Sequence, residues 1–440
     1  MQFFGRTKEI ARLHEIDDMS VNVAAQFTII TGRRRIGKTS LVLKAFEGRP
    51  LLYFFVAKKT EAQLVEGFQA EIESKLGITA LGNAQSFSQV FEFLMKLSHE
   101  RHFTVMIDEF QEFFRVNPSV YSDMQRIWDL HKNGSKLNLI VCGSVNTLMN
   151  KIFRDNKEPL YGRHTQQLSI TPFSTTMLKE ILKSVHPNYE NEDLLALYAI
   201  TGGVARYVEL MLDSGAVDRN SMLKALTNPY SLFIDEGKAI LVEEFGREYS
   251  VYFSILMSIA TGHTSRKEIE DMAGRQISGH LDRLENDYGL IKKKIPLFST
   301  SKNKTVRYSI SDNFLILWFR FFYKYNYLLE IGGHETLRSI IERDYDTFSG
   351  FALERYFTQR FIEQGQCTRL GGWWQRNGTQ EIDIIAANEI DRVATFYEVK
   401  RNSDRINLQD LRYKAQVFLE ATHEFKKFKI ECAGLSINDM

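Results

Sequence analysis

The stretch Phe27-Thr-Ile-Ile-Thr-Gly32-Arg33-Arg34-Arg35-Ile36-Gly37-Lys38-Thr39-Ser40 runs an apolar segment into a glycine-bracketed, lysine-bearing turn. It fits G-x-x-x-x-G-K-[ST] without a departure. These residue types at this spacing suit the holding of a polyphosphate. The two glycines let the backbone wrap a phosphate closely, so that consecutive N–H groups face its oxygens. Lys38 can reach the β- and γ-phosphates, and the Thr39 hydroxyl can ligate Mg²⁺. A helix expected from Ser40 to Phe46 aims its positive N-terminal end at the same anion. Residues Gly32 to Ser40 are therefore the expected cradle for a nucleoside triphosphate, with ATP or ADP as occupant and Mg²⁺ as its companion.

A second set of residues supplies what hydrolysis of that ligand needs. Phe103-Thr-Val-Met-Ile-Asp108-Glu109 looks like a Walker B strand, an apolar run delivering a carboxylate to a sheet edge. Asp108 there can hold Mg²⁺ through water, and Glu109 can orient and deprotonate the attacking water. The following strand ends in Cys142-Gly143-Ser144, which offers a small hydroxyl at a strand end.

A third set lies in the last hundred or so residues, where Glu354 falls on an expected amphipathic helix beginning at Gly350. Glu381-Ile382-Asp383-Ile384-Ile385 and Ala394-Thr-Phe-Tyr-Glu398-Val399-Lys400 read as two strands of a hairpin. The strand period of two sets Glu398 and Lys400 on one face, where Asp383 of the neighbouring strand can meet them. Two carboxylates on a divalent cation beside a lysine are the parts required for phosphodiester hydrolysis. The Gly371-Gly-Trp373-Trp374-Gln-Arg376 stretch offers either base-stacking aromatics or buried tryptophans.

The elements that must position these groups follow from periodicity. Strands are expected at Phe27–Thr31, Leu51–Val56, Phe103–Ile107, Leu137–Val141 and Gln166–Ile170. The segments between the first four read largely as amphipathic helices, the pattern of a parallel sheet. Helical periodicity dominates from Pro172 to about Leu241. Helices at Val251–Ala260, Arg266–Ala273 and Ser278–Asn286, followed by strands at Leu290–Pro296 and Thr305–Ile310, have the order of a winged helix. Between Tyr288 and Ser311 stand six basic residues, Lys292, Lys293, Lys294, Lys302, Lys304 and Arg307, and no acidic one. Such a ribbon can track a DNA backbone or serve as an internal packing module.

At 440 residues the chain is too long for a single ordinary core. It is 44% hydrophobic and 25% charged with a formal net charge of +1, so attraction to nucleic acid must come from local patches. Cys142, Cys367 and Cys432 have no metal-ligand spacing, which suits a reducing compartment. No signal peptide is visible, and the apolar run from Phe314 is interrupted by Arg320 and Lys324, so a buried helix is expected there. The expected location is cytoplasmic, with no membrane partner.

Several motifs together carry a family resemblance. Phe4-Gly5-Arg6-x-x-Glu9-Ile10-x-x-Leu13 resembles the N-terminal box of STAND and related AAA+-like ATPases. Gly32–Thr39 and Ile107-Asp108-Glu109-Phe110-Gln111 resemble the archaeal-type ATPases of that group. The resemblance implies that Phe4, Gly5 and Arg6 lie near the adenine. It also implies that Ser144 acts as sensor 1 and that Arg163, in Pro159-Leu-Tyr-Gly162-Arg163, senses or stabilises γ-phosphate charge, in cis or from a second copy in a homo-oligomer. Thr201-Gly202-Gly203-Val204-Ala205-Arg206-Tyr207 resembles the family's Gly-x-Pro lid motif, with Ala205 in place of the proline.

Asp383…Glu398-x-Lys400 resembles the PD-(D/E)xK nuclease superfamily, which implies Asp383 and Glu398 as metal ligands, Lys400 as a catalytic lysine and Glu354 as an auxiliary ligand. The expected fold is α/β. Its parts are a P-loop ATPase core over 1–171, a helical lid over 172–244, a winged helix over 245–312, a helical connector over 313–345, and a restriction-endonuclease-like domain over 346–440. The expected function is an ATP-hydrolysing switch coupled to a DNA-directed, Mg²⁺-dependent nuclease-like effector. The alternative is a nucleotide-sensing regulatory or DNA-binding protein whose nuclease-like domain is inert.

Overall fold

Five short runs rich in β-branched and aromatic residues form one parallel sheet in the computed structural model: β1 (Gln26–Thr31), β2 (Leu51–Phe55), β3 (Phe103–Asp108), β4 (Leu137–Cys142) and β5 (Gln166–Ser169). Their order is β2-β3-β4-β1-β5, so β4 is inserted between the phosphate-loop strand and the strand carrying Asp108. β3 and β4 are buried along their whole length, which is why they read as continuous apolar runs rather than alternating ones. The structure describes residues 3–78, 84–143, 146–245, 249–299, 305–375 and 378–440. Within these the chain divides into two compact units, Phe3–Thr171 and Pro172–Met440.

The first unit is the sheet with helices on its faces. Its core gathers Phe27, Phe54, Phe68, Phe91, Val105, Leu139 and Trp128 among others, with Phe27 meeting Trp128 edge to face at 5.3 Å. Because all five strands run the same way, their carboxyl ends share one edge, where ligands bind in such sheets. At the opposite edge, Asp17 of helix α1 (Thr7–Asn22) is buried. It accepts hydrogen bonds from Thr104 Oγ1 and Asn138 Nδ2, each at 3.1 Å, and pairs with Arg49 and His102, each at 3.0 Å. That network ties α1 to the starts of β3 and β4.

In the second unit, helices from Thr175 to Phe245 lead to helices Tyr249–Ala260, Arg266–Ala273 and Ser278–Asp282, the last continued by a π-turn over Arg283–Asp287. An antiparallel ribbon follows, β6 (Ile291–Lys294) with β7 (Arg307–Ile310). The expected lid motif gives Gly202 and Gly203 positive φ, and Ala205 takes the first position of helix Ala205–Asp213, where proline would be well accommodated. The apolar run near Phe314 is buried as helix Asn313–Leu317 and a π-turn over Trp318–Tyr323. Among the described residues no helix is long and apolar enough to cross a membrane.

The helix bearing Glu354 does not begin at Gly350. It spans His334–Gln364, so Glu354 lies well inside it and the expected boundary at 345/346 falls within one helix. The buried series Leu337, Ile341, Tyr345, Phe348, Ala352 and Tyr356 recurs every three or four residues straight through that boundary, and a lone glycine does not interrupt it. The closing sheet has order β11-β10-β9-β8, with β8 (Arg369–Trp374), β9 (Glu381–Asn388), β10 (Val393–Val399) and β11 (Lys429–Leu435). β10 and β11 are parallel and joined through helix Leu408–Thr422, while the other two pairs are antiparallel.

Candidate functional site

The phosphate loop joins β1 to helix α2 (Lys38–Ala45), with Gly37 at the helix cap in a left-handed conformation. Gly32 has φ of +152°, and a Cβ there would come within 2.7 Å of the Ile170 carbonyl oxygen, so only glycine fits this approach. Lys38 is buried and donates to the carbonyl oxygens of Gly32 at 2.8 Å and Arg33 at 3.1 Å. Burial lowers its pKa, and Cys142, Glu109 and Asp108 partly offset that by favouring the charged form.

Because β1 and β3 flank β4, the ends of the two motifs meet. Thr39 Oγ1 donates to Asp108 Oδ2 at 2.6 Å, and Tyr53 Oη, from β2, donates to the same oxygen at 3.2 Å. Burial, and then the Asp108 charge, push the Tyr53 hydroxyl well above the usual phenol range, so it remains a donor. Asp108 Oδ1 accepts the Glu109 backbone N–H at 3.0 Å. Glu109 has φ of +53°, and its side chain accepts a short hydrogen bond from Gln111 Nε2. Cys142 is fully buried beside this group, and burial pushes its thiol pKa up.

Among the described residues one member of the expected set, Arg163, is not brought to this edge. Arg163 precedes β5 and sits with the amino end of β1. Its guanidinium meets the Tyr161 carbonyl at 3.0 Å and Asp129 at 3.3 Å. A strand of six residues separates that end from the loop, roughly 16 Å of extended chain, so Arg163 cannot serve the loop of its own chain. Of the two expected routes, cis and trans, the cis route does not fit this placement: the chain approaches β5 from the edge opposite the loop. Arg6 does lie at the loop's edge, donating to the carbonyl of Thr171 just past the carboxyl end of β5 at 2.7 Å and pairing with Glu9 at 3.0 Å. Ser144 lies outside the described residues. Tyr53 was missed in the sequence, although Leu51-Leu-Tyr-Phe-Phe places a polar-tipped aromatic near the strand's carboxyl end.

The second constellation is assembled by the hairpin of β9 and β10. Tyr397 pairs with Ile384, and continuing that register sets Glu398 opposite Asp383. Asp383 Oδ2 accepts the Val399 N–H at 2.8 Å, and Glu398 Oε2 accepts the Asn407 N–H at 2.8 Å. The Lys400 ammonium lies between the carboxylates, 3.7 Å from Asp383 and 3.5 Å from Glu398. Glu354 feels the same corner: burial first, and then the Asp383 charge, raise its pKa to about 8, against the pull of Lys294 and Lys400.

Among the described residues no three His, Cys, Asp or Glu side chains gather closely enough to hold a metal ion. Glu354 is therefore not a third member of a closed cage with Asp383 and Glu398. Mg²⁺ characteristically takes one or two carboxylates and fills the rest of its shell with water and phosphate oxygens, so Asp383 and Glu398 remain a fitting pair for it.

Two of the ribbon's basic residues are engaged with protein carboxylates. Lys293 pairs with Glu285 at 2.6 Å and Asp282 at 3.4 Å, and Arg307 pairs with Glu381 at 2.7 Å while stacking 4.6 Å over Trp374. Trp374 in turn donates its indole N–H to the Thr305 carbonyl at 2.8 Å. Both Trp373 and Trp374 are buried. Lys302, Lys304 and Arg376 lie outside the described residues.

A five-stranded parallel sheet in this order, with Lys38, Thr39 and Asp108 meeting at its carboxyl edge, is the arrangement of a P-loop ATPase. Residues 3–211 match the family described as an ATPase domain predominantly from Archaea, and residues 318–411 match a family of archaeal and bacterial proteins of unknown function. The chain belongs to the same family as the uncharacterized protein MJECL04 of Methanocaldococcus jannaschii, with 30% identity over 414 residues, 90% of this chain and 87% of that one. Among solved structures it is similar to the Walker-type ATPase PABY2304 of Pyrococcus abyssi. The TM-score there is 0.55 and the identity 22%, over 72% of this chain and 96% of that one. It is also similar to the Aeropyrum pernix ORC2 protein in its ADPNP–ADP complexes, with TM-score 0.52 and 14% identity over 78% of this chain and 96% of that one. These two likenesses are of fold.

Proposed function

We propose that ATP hydrolysis at the Gly32–Ser40 loop drives a switch whose output lies in the carboxylate–lysine corner of the last sheet. The observation that carries the first half is the contact of Thr39 with Asp108 at 2.6 Å, because it joins the two motifs that a Mg²⁺–ATP complex requires. Thr39 and Asp108 are the residues that would hold Mg²⁺, which supplies positive charge to the β- and γ-phosphate oxygens when bound. Lys38, now bonded to loop carbonyls, exchanges these for phosphate oxygens, and the backbone N–H groups from Arg33 to Thr39 complete the cradle. Glu109 orients the attacking water and takes its proton.

Lys38→Ala is expected to abolish nucleotide binding, and Glu109→Gln to keep binding and stop turnover. A Glu109→Gln protein hydrolysing ATP at the parental rate would overturn the assignment of the base.

The output is read as nuclease-like. Supporting this are the order helix, three strands, helix, strand, and the meeting of Asp383, Glu398 and Lys400 on one face. Residues 245–312 are read as a winged helix. The pairing of Lys293 and Arg307 with carboxylates favours a packing role for its ribbon over DNA tracking. In the nuclease-like corner Asp383 and Glu398 would hold a divalent cation, which supplies an acidified water and charge stabilisation at phosphorus. Lys400 is placed to orient the nucleophile. Incubation with DNA and RNA in Mg²⁺ or Mn²⁺, beside Asp383→Ala, tests this reading. Equal cleavage by both proteins would sink it.

The position of Lys400 between the two carboxylates favours a second reading, a nucleotide-sensing regulator whose nuclease-like domain is inert. Mn²⁺ calorimetry on the full chain separates the two. A site lost on Glu398→Ala supports the enzyme, and no site at that corner supports the regulator.

A further inference from the structure

Directly after β3 the chain enters a single 3₁₀ turn, Phe110–Glu112, and Gln111 within it is 1% exposed. Its Nε2 donates to Glu109 Oε2. The identity of the donor is fixed by chemistry, since a flipped amide would set its oxygen against a carboxylate oxygen. The turn itself is clamped: Tyr121 Oη reaches the carbonyl oxygens of Phe110 at 3.3 Å and Gln111 at 3.4 Å, and the Glu112 N–H donates to the Glu109 carbonyl at 2.9 Å.

On its other side the Gln111 amide abuts Gly143 at the end of β4, where a Cβ would stand 2.5 Å from Oε1. The amide is thus wedged between the carboxylate of Glu109 and the backbone of the neighbouring strand. Its burial and the close approach of Gly143 restrict the amide, and with it the carboxylate it holds.

We propose that Gln111 is a positioning residue for ATP hydrolysis, holding the Glu109 carboxylate where it orients the attacking water. Gln111 acts through Glu109 and does not touch the nucleotide. The inference rests on Glu109 being the base, as read above, and the experiment separates the failure of each. Gln111→Met keeps the length and most of the volume but removes the donor, and Gln111→Glu keeps the shape but replaces the donor with an acceptor.

The expected result is a kcat lowered roughly 10–100-fold in both variants, with KM for ATP and nucleotide affinity at the parental values. In a Glu109→Gln background, Gln111→Met is expected to slow residual turnover no further. Parental kcat in both Gln111 variants overturns the proposal. So does an equal slowing by Gln111→Met with and without Glu109, which would mean that the glutamine acts independently. Parental turnover in Glu109→Gln alone instead overturns the reading of the base on which the proposal stands.

Discussion

The hydroxyl of Thr39 and the carboxylate of Asp108, sixty-nine positions apart in sequence, share a hydrogen bond of 2.6 Å. The same Asp108 oxygen accepts from Tyr53 at 3.2 Å, so two donors hold one carboxylate in a single orientation. A carboxylate held in this way needs little reorganisation when it takes up a share of a hydrated cation, the usual benefit of partners behind a metal ligand.

Tyr53→Phe keeps the ring and removes one of those donors. The Mg²⁺ concentration for half-maximal ATPase activity is expected to rise roughly tenfold. Nucleotide affinity measured without Mg²⁺ should stay at the parental value. A Mg²⁺ titration of turnover checks this, and an unchanged midpoint would reduce Tyr53 to packing.

Gly143→Ala puts a methyl group against the Gln111 amide oxygen and the Met149 sulfur. Turnover is expected to fall while nucleotide binding persists, at a stability cost of about 1–3 kcal/mol from overpacking. Steady-state kinetics with a thermal melt reads both.

Asp17 supplies a pH dependence. Burial alone would raise its pKa, but hydrogen bonds and charge from His102, with Asn138 and Thr104, outweigh it and hold the carboxyl below its usual value. A depressed folded pKa stabilises the fold above the unfolded carboxylate range, and that contribution is lost as pH falls through the folded value. Asp17→Ala is expected to cost roughly 1–3 kcal/mol at neutral pH through the donors it strands. The difference from the parent should shrink in acid, as urea denaturation at a series of pH values would register.

Arg163 can act on a nucleotide only in another copy of the chain. If it does, specific ATPase activity rises with protein concentration, and Arg163→Ala flattens that rise while leaving the dilute-limit rate unchanged. A uniform loss at every concentration would argue for a structural role beside Asp129.

Much of the first unit was legible because its signals are local. Five apolar runs, a glycine-bracketed loop and an acidic strand end each announce themselves within a dozen residues, and all five strands appear close to the expected spans. The choice between cis and trans for Arg163 was not legible because a motif gives a residue's neighbours in sequence, while the direction of β5 decides the edge from which the chain arrives. Gln111 stood inside a recognised motif, but its bond to Glu109 depends on a backbone turn with positive φ that no spacing reveals. The start of the helix bearing Glu354 was missed because Gly350 looked like a beginning, while burial continues through it from Leu337. Lys293 and Arg307 left the ribbon's role open in the sequence, since their acidic partners, Asp282, Glu285 and Glu381, lie on other elements.

Lys400 has a practical consequence for handling the protein. A corner with Asp383 and Glu398 side by side would ordinarily lean on an added cation to offset their repulsion. Here the balancing charge is part of the chain. The last sheet is therefore expected to stay folded without metal, and purification in chelator should yield an intact domain whose melting point is indifferent to EDTA.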